Sequence, residues 1–227
     1  MRLVPGRSDI DLYQKATGLI TLYFLMTSWS DESKKWIIVA FAITALYGWD
    51  SLSKRATPMD YTTNLNWNGL MWVLAGVVGL FTVSMTFSSI SFDILNVNNP
   101  LLTLPEITQP LLPLSAAISV PMNKFLWQFF IVANAEEVMK FSFQCGLYDW
   151  LDDRYGVQTA AYVGFGVVII TWASMHAILA YTSGNIIGHI LAAVGAGVVL
   201  TLVIWKSGSL LGGVLAHTLY NWALTFM

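Results

Sequence analysis

Residues 67–90 read WNGLMWVLAGVVGLFTVSMTFSSI, without a single Asp, Glu, Lys or Arg. At about 1.5 Å per residue, an uncharged apolar run of this length spans the roughly 30 Å hydrocarbon core of a bilayer. Working outward, further uncharged windows predict helices near 12–29, 36–50, 124–150, 157–181, 185–205 and 209–226, the second of them short for a full crossing. All are read as helices because lipid offers no partner to an unpaired backbone group. The expected fold class is all-α, a polytopic membrane protein of about seven transmembrane helices, or eight if one more crossing is hidden between Ser91 and Pro121. That stretch holds Pro100, Pro105, Pro110, Pro113 and Pro121, which break helices and mark a long connection. A single membrane domain over 1–227 is expected, with a three-helix part (1–90), a Pro-rich connection (91–123) and a four-helix part (124–227).

Composition points the same way. The 227 residues are 56% hydrophobic and only 11% charged, with a mean hydropathy of +0.63, whereas soluble domains carry about 25% charged residues. A water-soluble fold would lack the polar surface to cover its apolar side chains. Ten Trp and nine Tyr suit the membrane interfaces. A net charge of −2 without a basic block argues against a nucleic-acid partner. The single cysteine, Cys145, has no intrachain disulfide partner and is expected to pack as a small apolar side chain. The N-terminal MRLVPGRSDIDLYQK lacks the features of a removable signal peptide, so the first span is expected to serve as its own anchor. With Arg2, Arg7, Lys54, Arg55, Arg154 and Lys206 on one side and Lys34, Lys35 and Lys124 on the other, the positive-inside rule places the N-terminus in the cytoplasm and the C-terminus outside. The expected location is the plasma membrane.

Inside the spans, polar residues survive in three places, and each is costly: a charge near the bilayer centre costs at least ~2.5–3.5 kcal/mol on insertion scales. The fourth span carries Asn134, Glu136, Glu137 and Lys140, the fifth His176, the seventh His217 and Asn221. Glu136 and Lys140 are four apart and share a helix face, so the lysine is expected to pair with Glu136, while Glu137 is turned about 100° away. Two adjacent carboxylates in low dielectric repel each other, a setting from which a general base is made. His176 lies one turn beyond Trp172, which can pack on or fix its imidazole. His217 and Asn221 share a face with Gly213, which leaves room for another backbone or a substrate. A structural ion pair, a packing histidine and an interhelical hydrogen bond are the plain readings of the three motifs taken singly. Together they supply the parts for hydrolysis: Glu136 as base, His176 as its partner on water, and His217 with Asn221 as donors to an oxyanion. Counted along the spans, Glu136 and His217 share a layer near the midplane, but His176 falls roughly 10 Å too far out. His189 in the sixth span is expected to pack helices, helped by Gly184, Gly188, Gly195 and Gly197; Asp149, Asp152, Asp153 and Arg154 are expected to form a solvated turn.

These motifs, over about residues 130–227, resemble the CAAX protease and bacteriocin-processing family of intramembrane proteases, which includes type II CAAX prenyl endopeptidases and the Abi proteins. The family pattern is a double glutamate with a nearby arginine, then Phe-x-x-x-His, then His-x-x-x-Asn or Asp. It is met by Glu136-Glu137, by Trp172 to His176 and by His217 to Asn221. The resemblance implies that Glu136 and His176 activate water, that His217 and Asn221 form the oxyanion site, and that Glu137 has a supporting role. Trp172 stands where phenylalanine is usual, and the arginine position holds Phe141, with Lys140 one residue early. The Glu-Glu-x-x-Lys spacing is similar to that of the PrsW membrane proteases, so the first motif is a hybrid.

The function expected from this is an intramembrane endopeptidase, a glutamate-type hydrolase that cleaves a membrane-associated or hydrophobic peptide substrate. No cofactor is required in this reading. Zinc on Glu136, His176 and His217 is the metal alternative, weakened because no His-Glu-x-x-His pair lies on one helix. The alternatives weighed are a catalytically silent binding or immunity-type membrane protein, suggested by Phe141, a PrsW-like site-1 protease of a membrane-anchored regulator, and a proton- or cation-coupled carrier. The partners expected are the bilayer and a membrane-associated protein or peptide.

Overall fold

The computed structural model describes residues 7–27, 32–53, 65–95, 116–180 and 186–224. Its elements are all helical: α1 (Arg7–Thr27), α2 (Glu32–Ser53), α3 (Trp67–Leu95), α4 (Ala116–Leu126), a π-helical turn (Trp127–Val132), α5 (Ala133–Tyr155), α6 (Val157–Ala180), α7 (Ile186–Ser207) and α8 (Leu210–Leu224). The protein is an all-α membrane protein. Trp67–Phe87, Val157–His176 and Ile190–Ser207 are long and apolar enough to cross a bilayer. α2 has 22 residues, but its uncharged run begins only after Glu32, Lys34 and Lys35 and ends before Asp50.

Two sequence expectations about the fourth span need correcting. The expected helix over 124–150 is the middle of a longer helical rod: α4, the π turn and α5 follow one another, with Leu126 and Ala133 both in right-handed helical conformation at the junctions. Pro121, read as a breaker, lies inside α4. As the sixth residue of α4 Pro121 lies past the first turn, so the helix forgoes the hydrogen bond that its N–H would give to the Ala117 carbonyl. Its carbonyl accepts a hydrogen bond from Trp222 Nε1 at 2.9 Å, joining α4 to α8. The other prolines, the hidden eighth crossing, Arg2, Lys54, Arg55, Gly184, Asn185 and the side chains of Arg7, Lys34 and His189 lie outside the described residues.

The described helices pack through several apolar clusters, two of which involve α7 and α8 together. One joins α2, α5, α7 and α8 through Trp49, Val138, Phe141, Cys145, Ile204 and Leu210. Cys145 is buried there among apolar side chains. The other joins α3, α7 and α8 through Val73, Leu80, Leu200, Val203, Ala216 and Tyr220. The chain order of a three-helix front and four-helix back is therefore not the spatial order, since α3 packs on α7 and α8 while α1 and α2 lie on the rod of α4 and α5.

Two tight turns set the register of the functional helices. Gly156, at φ +79° and ψ 158°, ends α5, and its N–H bonds the Asp152 carbonyl at 2.9 Å. Gly208, at φ +65°, turns α7 into α8. Both conformations are disfavoured for residues carrying a Cβ. With so short a turn at Gly156, α5 and α6 run back to back, and residues equally far before and after it face each other. Gly164 accordingly meets the α5 backbone at Tyr148, where a Cβ would stand 3.7 Å from its nitrogen.

Candidate active site

Glu136 and His176 are equally distant from Gly156 along the chain, and so are Lys140 and Trp172. The hairpin therefore levels each pair. His176 Nε2 stands 3.5 Å from Glu136 Oε2, and Lys140 Nζ lies 4.9 Å from the centre of the Trp172 ring. This removes the 10 Å depth mismatch expected from the sequence. The mismatch comes from counting Glu136 from an outer end at residue 124, whereas the helical rod begins at Ala116 and the turn at Gly156 sets the level of Glu136 relative to His176.

α8 supplies the third wall. His217 Nδ1 lies 3.0 Å from Glu137 Oε1, and its Nε2 lies 4.0 Å from Glu136 Oε2. Gly213, one turn earlier, leaves room for a neighbour where a side chain would stand. Ile204 takes that room: a Cβ on Gly213 would stand 2.5 Å from Ile204 Cγ1, and 3.7 Å from Glu137 Oε2. Trp172 packs on the His176 ring at 4.2 Å between centroids and meets His217 edge-on at 6.4 Å.

The expected Lys140–Glu136 pair is not formed. Lys140 Nζ lies instead 2.6 Å from Glu137 Oε2, three residues away, with both side chains buried. Residues three and four apart are both neighbours on a helix, and here tertiary contacts choose between them. Glu136 is drawn to the imidazoles of α6 and α8, while Glu137 sits between Lys140 and His217. Phe141, at the family's arginine position, is buried in the cluster around Trp49 and Cys145, where a guanidinium would have apolar neighbours.

Exposure grades across the group. The His176 side chain is 22% exposed, Glu136 16%, His217 9%, and Glu137 not at all. The cluster is open on the side of His176 and Glu136 and closed behind by Glu137 and Lys140. Among the described residues no three His, Cys, Asp or Glu side chains are arranged to hold a metal ion. Glu136, His176 and His217 face one another, yet the 4.0 Å between His217 Nε2 and Glu136 Oε2 is wide for two ligands sharing zinc at bond lengths of about 2.0–2.2 Å.

Residues 118–223, from α4 to α8, match the family described as type II CAAX prenyl endopeptidase Rce1-like. This segment belongs to the CAAX protease family. Glu136, His176, His217 and Asn221 all fall within it, and the match supports an intramembrane CAAX-type protease at the family level. Comparison with curated proteins and with solved structures returns no match.

Three further polar contacts involve buried amides of the Rce1-like domain. Asn221 donates from Nδ2 to Gln128 Oε1 at 3.0 Å, both side chains buried; Gln128 belongs to the π turn. Asn134, one of the polar residues of the fourth span, accepts from Trp49 Nε1 at 2.9 Å and donates to Thr17 Oγ1 at 3.1 Å. It thereby ties α1 and α2 to the start of α5, half a turn before Glu136. A polar residue in an apolar window was the available signal for Gln128. For Asn134 the partners are distant in sequence, and no local pattern names them.

Proposed function

We propose that the protein is an endopeptidase of the membrane interior that cleaves a membrane-associated or hydrophobic peptide by water activated on Glu136 and His176. One observation carries the reading: two imidazoles turn their Nε2 atoms to the same carboxylate oxygen while their Nδ1 atoms are engaged elsewhere. His176 Nδ1 donates to the Trp172 carbonyl at 3.0 Å, and His217 Nδ1 donates to Glu137, a carboxylate already paired with the Lys140 ammonium. With Nδ1 protonated, the neutral His176 ring presents a lone pair at Nε2. Glu136 Oε2 and His176 Nε2 are then two acceptors 3.5 Å apart, a spacing that one water can bridge by giving a hydrogen to each at about 2.8 Å.

The water oxygen adds to the scissile carbonyl as its proton passes to Glu136, and the carbonyl oxygen takes up the negative charge. Asn221 offers it an amide N–H, and His217 in its doubly protonated form offers Nε2–H. Collapse breaks the carbon–nitrogen bond, and the proton held by Glu136 goes to the leaving amine. Glu137 and Lys140 hold His217 from behind. The plasma membrane, with the N-terminus in the cytoplasm, is the proposed location, and a reporter fused before Arg7 should be protected from reagents outside the cell.

The test uses the full chain in proteoliposomes with a farnesylated CAAX peptide. Wild type should release the C-terminal fragment, and Glu136→Gln or His176→Ala should each lower the rate at least about 100-fold. Wild-type rates in both variants would overturn the reading. An inert wild type with a stable fold would favour a silent relative of the same architecture, the alternative to which the buried Phe141 points.

A further inference from the structure

The π turn at Trp127–Val132 is a departure from regular helix within the rod that carries Glu136, and Gln128 lies on it. In an unbroken α-helix Gln128, eight residues before Glu136, would project about 80° away from it. A π turn accommodates one extra residue, so that eight residues cover what seven cover in an α-helix and the offset shrinks to about 20°. The turn therefore swings Gln128 onto the Glu136 face, towards α8. There it meets Asn221: Gln128 Oε1 accepts from Asn221 Nδ2 at 3.0 Å, with Gln128 5% and Asn221 7% exposed. α5 and α8 are antiparallel, so the residue one turn past His217 on α8 lies on the side of Glu136 from which Gln128 comes.

We propose that Gln128 is a positioning residue which, by accepting one Asn221 amide hydrogen, fixes the plane of that carboxamide and presents its second N–H to the reacting carbonyl. A primary amide can rotate about its terminal torsion and exchange its oxygen and nitrogen edges; an acceptor held by a buried backbone irregularity removes that choice. Without it, the Asn221 oxygen can turn to the oxyanion and repel it. The proposal rests on the reading of Asn221 as an oxyanion donor.

The experiment measures kcat and KM on the farnesylated CAAX peptide in proteoliposomes for Gln128→Leu, Gln128→Glu, Asn221→Ala and Gln128→Leu/Asn221→Ala. Removing the acceptor should lower kcat about 10- to 100-fold with KM within about twofold. Gln128→Glu, which keeps an acceptor oxygen at the same reach, should recover most of the rate. The double variant should be no slower than Asn221→Ala alone, because the two residues act on one step. Wild-type kcat in Gln128→Leu, or single losses that multiply in the double variant, would overturn the proposal. If Gln128→Leu fails to fold, Gln128→Asn, one methylene shorter, takes its place in the cycle with the same expectations. Peptide cleavage that survives Glu136→Gln would instead count against the underlying function, whatever Gln128 does.

Discussion

Glu137 is fully buried between a lysine and a histidine, and its energetics follow from that. Lys140 Nζ pairs with its carboxylate at 2.6 Å, so Lys140→Met should take the ammonium from a buried charge and cost about 3–5 kcal/mol. Denaturant unfolding in detergent measures this, and Lys140→Met/Glu137→Gln should recover much of the loss because the charge disappears with its partner. Equal stability of wild type and Lys140→Met would mean that the pair is not formed. A second expectation concerns the missing arginine. Phe141 is 2% exposed in an apolar cluster, and Glu137 already has its cation. Phe141→Arg should therefore lower expression and thermal stability without raising turnover; a faster enzyme would show that the arginine's role had been vacant.

At the scale of elements, the entry of α5 into the site is held by helices outside the Glu136, His176 and His217 group. Asn134 joins α5 to α2 through Trp49 and to α1 through Thr17. Asn134→Ala leaves a buried indole N–H without an acceptor, at a cost of about 1–3 kcal/mol, and frees the turn that carries Glu136. Thermal stability should fall, and kcat should fall with it more than KM rises. Trp49→Phe, which removes the stranded donor, should restore part of the stability to Asn134→Ala; the absence of any coupling in that double variant would show that this bond does not anchor α5.

At the scale of the whole molecule, the site depends on register across the α5–α6 hairpin. A Cβ at Gly166 would meet nothing within 4 Å, so the chain tolerates change there. One alanine inserted after Gly166 rotates everything beyond it by about 100° and advances it by about 1.5 Å. His176 then leaves Glu136, and cleavage of the farnesylated peptide should drop at least about 100-fold. Membrane insertion and detergent behaviour should be kept, since α6 remains apolar. Retained activity would mean that the 3.5 Å contact between Glu136 and His176 is dispensable.

The uncharged run at Trp67–Ile90 and its neighbours sufficed for an all-α membrane protein, because the cost of bare backbone groups in lipid leaves helices as the solution for such segments. The expense of Glu136, Glu137, Lys140, His176, His217 and Asn221 inside apolar windows marked them as candidates for the same reason. Which carboxylate Lys140 takes was not legible, since three- and four-residue spacings are nearly equivalent on an isolated helix, and only the imidazoles of α6 and α8 separate Glu136 from Glu137. The level of Glu136 relative to His176 is set by the turn at Gly156 and not by the outer end of a helical rod that begins at Ala116, a boundary that hydropathy does not mark. Gln128 reaches Asn221 through a π turn that a 3.6-residue period cannot anticipate. Residue chemistry and helix type are thus properties of the chain, whereas partners, depth and facing arise from packing between helices far apart in sequence.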